Sequence, residues 1–331
     1  MTKYNSCSLD NGLRIIHLPS TSQVVWCGYD LAVGSRDELP GEEGLAHFCE
    51  HMTFKGTQRR DALQIINSLE SVGGELNAFT NKQDTVFYAA VTKDHFAKAV
   101  NLLTDIVFHS LSTQHAIDKE VEVICDEIES YNDSPAELIY DEFENIIFQS
   151  HPLGHNILGQ AEQLRTYTTE DVLSFAQRHY RLDNAVFFVY GDIDFRRLCS
   201  ILRKEEREMR KENTPAAESL GTNMSLSSFL FPPSSKILEK GTHQAHVMIG
   251  THTYRYDDPR RMTLYLLNNI IGGPGMNAWL NLSLRERHGL VYTVESSMAS
   301  YSDMGVWGVY FGCDHHDVNR CLRLVRHVLD R

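Results

Sequence analysis

The chain reads as an α+β protein: two related α/β sandwich domains with antiparallel-rich sheets covered by helices. Three observations predict this. Short apolar runs bounded by Gly, Asn and Pro alternate with stretches of helical period. The alternation occurs on both sides of a Ser-, Asn-, Glu- and Pro-rich stretch, residues 210–233, which reads as a linker. At 331 residues, 42 % hydrophobic and 23 % charged, the chain can fill two cores. A domain carrying the chemistry is therefore placed at 1–209 and a second, homologous one at 234–331. The second resembles a partial copy of the first, without a strong sequence repeat, and reads as incomplete at its C-terminus.

The elements follow in order. Asn11-Gly12 between short apolar runs marks a hairpin turn. Val24 to Val33 is a buried strand, Gly41 to Gly44 a loop and Leu45 to Phe54 a helix. Asp61 can N-cap a helix that runs to Ser71. Leu76 to Thr80 and Thr85 to Val91 are strands joined by a polar turn. Phe96, Ala99, Val100, Leu103 and Ile106 give helical spacing across His95 to His109. Val121, Ile124 and Ile128 form the apolar stripe of a helix from Ile117 to Tyr131. Pro135 opens the next helix, to about Phe148. Thr168 or Thr169 caps one that ends near Tyr180. Ala185 to Tyr190 is a strand closed by Gly191, and Leu198 to Glu208 is helical. Beyond the linker come a strand at Ala245 to Thr251, a helix from Pro259 to Ile271 and the glycine loop Gly272-Gly273-Pro274-Gly275. A helix from Asn277 to Arg287, strands at Tyr292 to Met298 and Gly305 to Cys313, and a helix from Asp317 to Leu329 complete the chain.

Composition excludes several functions. The formal net charge is −13, and nothing gathers Lys and Arg into one face, which argues against nucleic acid as a partner. The opening residues lack the apolar core of a signal peptide, and no run approaches the roughly eighteen apolar residues of a membrane span. Seven cysteines without regular spacing predict reduced thiols in a cytoplasmic protein.

The chemistry concentrates in His47-Phe48-Cys49-Glu50-His51. Histidines four apart on a helix stand one turn above each other, so both imidazoles can close on one metal ion. Glu50 projects toward the same side and can polarise a metal-bound water without ligating. Cys49 is offset by half a turn and reads as a small buried hydrophobe. A hydrolytic zinc site needs a third protein ligand and one open position. The best candidates lie on the helix containing Glu120-Val121-Glu122-Val123-Ile124-Cys125-Asp126-Glu127, where Glu120 and Glu127 are two turns apart on one face. One acid there can ligate and another can orient a histidine's second nitrogen. A solvated acidic face is the plainer reading of that helix taken alone.

Together with the following Met52-Thr53-Phe54-Lys55-Gly56-Thr57, the pentapeptide resembles the pitrilysin/insulinase-like zinc metallopeptidases, the inverzincins. Within them it looks most like the mitochondrial processing peptidase type and its small bacterial homologues. The likeness covers almost the whole chain. It extends through Gly34-Ser35-Arg36-Asp37-Glu38, Gly73-Gly74-Glu75-Leu76-Asn77-Ala78-Phe79-Thr80 and Glu120 to Ile128. It continues through Leu153-Gly154, Leu158-Gly159, His179 to Asn184 and Arg285-Glu286-Arg287-His288-Gly289-Leu290-Val291-Tyr292. The resemblance implies a zinc-dependent endopeptidase that cleaves peptides or unfolded segments in an enclosed chamber. By it, His47, His51 and Glu127 ligate Zn2+, Glu50 is the general base and Glu120 supports the site from behind the ligands. An extended peptide would add to the strand at Leu76 to Phe79, meeting Glu75, Asn77 and Ala78. Arg285 would hold the substrate backbone and Tyr292 the developing oxyanion, acting within the chain or across a homodimer or a pair with a homologous subunit. The alternative is a non-catalytic zinc-binding subunit or assembly partner of a heteromeric peptidase.

Overall fold

The computed structural model describes residues 3–209 and 235–330, so the stretch read as a linker lies outside the described residues. The described residues fall into two compact units, 3–128 with 156–209 and 129–155 with 235–330.

The first unit is built on a six-stranded sheet made of β1 (Asn5–Ser8), β2 (Arg14–Pro19), β3 (Val24–Leu31), β4 (Glu75–Thr80), β5 (Thr85–Thr92) and β6 (Ala185–Gly191), in the order β1-β2-β6-β3-β5-β4. All neighbours pair antiparallel except β2 and β6, which run parallel. The hairpin expected at Asn11-Gly12 joins β1 to β2, with Gly12 at φ +90°, a value that favours glycine. β4 is an edge strand, as the sequence resemblance implied. Its alternation is regular: Glu75, Asn77 and Phe79 are exposed, while Leu76, Ala78 and Thr80 point inward.

Helices cover one face of this sheet. They are α1 (Leu45–Thr53), α2 (Ala62–Glu70), α3 (Phe96–His109) and α4 (Gln114–Asn132), the last continuing into the second unit. α3 buries Ala99, Val100, Leu103 and Ile106 against β3 and β5. α2 begins at Asp61, whose carboxylate accepts the Gln64 N–H at 2.8 Å, so the expected cap is formed. The opposite face of the sheet shows Trp26, Phe79 and Tyr190 to solvent.

The second unit has α5 (Pro135–Ile147) before the chain returns to the first for α6 (Ala161–Leu164), α7 (Thr169–His179) and α8 (Phe195–Met209). It resumes with β7 (Ala245–Thr253), α9 (Arg260–Gly272), β8 (Val291–Ser300), β9 (Gly305–Cys313) and α10 (Val318–Leu329). Its three strands pair antiparallel in the order β7-β9-β8. Residues 129–155, inside the first domain as read from the sequence, group here because Phe143 and Phe148 bury their rings with Val306. The Tyr140 hydroxyl also donates to Glu295 at 2.5 Å. The helix expected at Asn277 to Arg287 is largely a π-helical turn, Asn281–Glu286. There the Arg287 N–H reaches back five residues to Leu282 O, and Gly289 at φ +59° then turns the chain into β8. Among the described residues no helix is long and apolar enough to cross a membrane.

Candidate metal centre

The site begins with how α1 is started. Gly44 sits at φ +90°, and a Cβ there would lie 2.7 Å from Leu158 O, so the chain approaches too closely for any side chain. The free N–H groups at this helix end are taken by Glu38, whose carboxylate accepts from Gly44 N at 3.0 Å and Ala46 N at 2.8 Å. That bond satisfies donors a helix start leaves open and sets a negative charge at the positive end of the helix dipole. α1 is then buried along nearly its whole length. Cys49 points into the core as expected, its thiol facing Val172 O at 3.8 Å. Burial pushes the Cys49 thiol well above its ordinary pKa.

Its two histidines meet the acidic helix. The His47 and His51 rings lie 4.5 Å apart, centroid to centroid. Glu127 Oε2 on α4 is 3.8 Å from His47 Nε2 and 3.6 Å from His51 Nε2. One ligand atom from each of the three lies within 4.8 Å of the others. Burial, then the neighbouring His51, depresses the His47 pKa to about 3. His47 is therefore neutral at physiological pH, the form in which imidazole binds metal.

Glu120 takes the other side. Its Oε1 accepts from His51 Nδ1 at 2.8 Å and its Oε2 from Lys55 Nζ at 2.6 Å. A carboxylate accepts only, so Nδ1 carries the hydrogen of this bond, and Nε2 is the ring nitrogen that faces Glu127. Burial works to raise the Glu120 pKa, but the bonds from His51 and Lys55 outweigh it and hold the carboxyl below its ordinary range. The residues alone left Glu120 and Glu127 as interchangeable candidates; the structure gives them different partners.

Glu50 is buried, and burial raises its pKa, while Thr80 works against the rise. The Thr80 hydroxyl, on the inward face of β4, donates to Glu50 Oε2 at 2.6 Å. Thr80 Oγ1 also lies 3.4 Å from Thr85 Oγ1, and Thr85 donates to Val33 O at 2.9 Å. The end of the edge strand is thus tied directly to the Glu50 carboxylate. Thr80 and Lys55, which bond to Glu50 and Glu120, are neighbours of the candidate site that sequence reasoning missed. Lys55 carried a weak signal, a basic residue four positions after His51 and just past the end of α1.

The remaining expected residues are placed as follows. Glu75 and Asn77 are exposed on β4, and the Asn77 side chain accepts from Ala78 N at 2.9 Å. That N–H therefore points to the free edge and not to β5. Arg285 and Tyr292 belong to the second unit, with the Arg285 guanidinium carbon 5.7 Å from the Tyr292 ring centroid. Tyr292 is 79 % exposed.

Comparison with known proteins adds the following. Residues 15–161 match the sequence family described as Insulinase (Peptidase family M16), and residues 166–331 the one described as Peptidase M16 inactive domain. An uncharacterized zinc protease of Streptomyces coelicolor is 33 % identical over 325 residues, covering 98 % of this chain and 70 % of its own length. An uncharacterized zinc protease of Bacillus subtilis is 32 % identical over 334 residues, covering 99 % of this chain and 78 % of its own. A Pseudomonas fluorescens structure described as a peptidase M16 inactive domain superposes with a TM-score of 0.87 at 19 % identity, over 99 % of this chain and 78 % of that one. A protease from Helicobacter pylori gives 0.86 at 21 %, over 100 % and 79 %. At these identities the two structures establish the fold.

Proposed function

This chain belongs to the insulinase family, peptidase family M16, and we propose that it is a zinc-dependent endopeptidase acting on peptides or unfolded segments. The observation that carries the reading is the convergence of His47, His51 and Glu127 on α1 and α4 next to a buried Glu50 held by Thr80. Two imidazole nitrogens and a carboxylate oxygen suit zinc and leave a fourth position open, as hydrolytic sites require. A structural zinc is closed by a fourth side chain, and none joins this group among the described residues.

When bound, zinc supplies Lewis acidity to a water and to the scissile carbonyl. Glu50 takes the proton of the attacking water and delivers it to the leaving amine. Burial raises its pKa above the ordinary carboxylate value, which makes it a stronger proton acceptor than an exposed glutamate. Glu120 holds the Nδ1 hydrogen of His51, so Nε2 would be the nitrogen offered to the ion. The peptide backbone adds to the free edge of β4 and takes the outward-directed Ala78 N–H over from the Asn77 side chain, with Glu75 alongside. Arg285 holds the substrate backbone and Tyr292 donates to the oxyanion, supplied by a second copy of this chain or a homologous subunit to form an enclosed chamber. Full activity in a strictly monomeric protein would remove the second copy from this account.

A non-catalytic zinc-binding subunit is the second reading. What favours it is the description "inactive domain" for the family matched by residues 166–331. That description concerns the other half of the chain, since His47, Glu50, His51 and Glu127 all lie in 15–161. The test is cleavage of a quenched peptide with zinc counted in the same sample. Activity is expected with about one zinc per chain, lost on chelation and restored by zinc. Zinc-loaded protein that cleaves nothing supports the second reading.

A further inference from the structure

The sulfurs of Cys7 and Cys199 lie 3.3 Å apart, although the residues are 192 positions apart in the chain. Cys7 is on β1, an edge strand whose single sheet neighbour is β2, and Cys199 is in α8. We infer that this pair is a disulfide-forming site, closed by a hydroperoxide acting on Cys7, that fastens β1 to α8.

Three observations carry the inference. The first is distance: a disulfide needs its sulfurs about 2.0 Å apart, so closure takes about 1.3 Å. The shift falls on β1, a four-residue strand bonded to one neighbour in the sheet. The second is access. Cys7 is half-buried, whereas the other six cysteines are buried, Cys199 at 6 % and the rest at 4 % or less. An oxidant in solution therefore meets Cys7 first. The third is the state of the partner. Burial, then the hydrogen bond with Cys7, pushes the Cys199 thiol up to about 11. Cys199 stays protonated and unreactive toward peroxide, yet lies in contact with whatever Cys7 becomes.

The chemistry balances in two steps. The Cys7 sulfur attacks the terminal oxygen of the hydroperoxide: the S–O bond forms, the O–O bond breaks, and the alkoxide leaves with the thiol proton as an alcohol, or as water from hydrogen peroxide, giving a sulfenic acid. The Cys199 sulfur then attacks the Cys7 sulfur. The S–O bond breaks, the S–S bond forms, and hydroxide leaves with the Cys199 proton as water. Two thiols are oxidised by two electrons and one peroxide is reduced. A second thiol pair, Cys313 and Cys321, is hydrogen-bonded in the other unit but 1 % and 0 % exposed. It supplies an internal control in which contact exists without access.

The test uses the whole chain under native conditions. Protein is treated with a small excess of hydrogen peroxide at neutral pH, alkylated, and mapped by mass spectrometry without reduction. The expected result is an intact mass lower by about 2 Da and one linked peptide pair containing Cys7 and Cys199. Cys313 and Cys321 are expected to be alkylated as free thiols once the protein is denatured. The cross-link encloses a long loop, so the melting temperature is expected to rise by roughly 3–8 °C and to fall again with dithiothreitol. In C199S, Cys7 is expected to accumulate as a sulfenic acid that dimedone traps; in C7S no linkage forms. The inference is overturned if wild-type Cys7 ends as a sulfenic or sulfinic acid with Cys199 free. It is equally overturned if Cys313–Cys321 forms as fast as Cys7–Cys199. The mapping needs neither zinc nor peptidase activity, so its failure is separate from any failure of the proposed function.

Discussion

His47, Glu50 and Glu120 are at most 8 % exposed, and Glu50 and Glu120 accept hydrogen bonds at 2.6–2.8 Å. Tyr292 is 79 % exposed, and the Arg285 guanidinium has a cation–π contact with it and a 3.8 Å ion pair to its own neighbour Glu286. The first region is held in place before any ligand arrives: α1 is capped by Glu38, His51 is oriented by Glu120, and Glu50 is tied to β4 by Thr80. The second carries the same kind of polar chemistry on side chains that are free to turn. Their ordering must come from what they bind, whereas His47, His51, Glu50 and Glu120 would lose little freedom on binding metal; Glu127, with its side chain 45 % exposed, is the one member of the metal group that must still settle. The contrast separates residues that should govern metal binding from those that should act only on turnover.

The largest expected effect that breaks the comparison apart is on the exposed side. Tyr292→Phe removes one oxyanion donor and is expected to lower kcat by roughly 10²-fold with zinc affinity unchanged. Weaker zinc binding in that variant would mean the two regions are not separate. On the held side, Glu120→Gln is expected to weaken zinc binding by roughly 10- to 100-fold in a chelator competition. Lys55→Met should follow with a smaller loss, and Lys55→Arg should recover most of it. Thr80→Val tests the tie between the edge strand and the base. A hydrogen bond to a charged group of about 1.5 kcal/mol corresponds to roughly tenfold. The expected outcome is that loss in kcat, with KM and zinc affinity unchanged and Thr80→Ser close to wild type.

The smallest effect is a pH dependence of the metal-free protein. His47 has a folded pKa of about 3 against an ordinary value of 6.5. Below pH 6.5 the unfolded state binds a proton that the folded state refuses, so stability falls as pH falls toward 3. Between pH 7 and 5.5 this single group contributes a loss of about 1 kcal/mol. Melting curves of metal-free wild type and His47→Gln across that range should show a flatter dependence in the variant.

Much of the first region was legible in the sequence because its signals are local. The four-residue spacing of His47 and His51 fixes a shared helix face, and Asp61 and Thr168 announce their own caps. Most strands and helices of the first unit fell where apolar period and turn residues placed them, the short α6 excepted. Glu120 and Glu127 were not separable by spacing, since residues two turns apart share a face; only the fold shows that they meet different partners. Thr80 was invisible for a related reason: its hydroxyl meets a carboxylate 30 residues earlier in the chain. Phe143 and Phe148 show that a residue is apolar without naming its neighbours, so the grouping of 129–155 with the second unit had no signal along the chain. The π-helical turn before Gly289 escaped because helical spacing looks the same for a helix wound one residue wider.

The central claim is that a held carboxylate beside a His, His, Glu metal site drives peptide hydrolysis. Glu50→Gln keeps the size of the side chain and removes the base. Zinc content and quenched-peptide cleavage of this variant and wild type, measured side by side, test the claim most directly. The account predicts equal zinc and a loss in kcat of roughly 10²- to 10⁴-fold. Equal cleavage by the two proteins at equal zinc would contradict it.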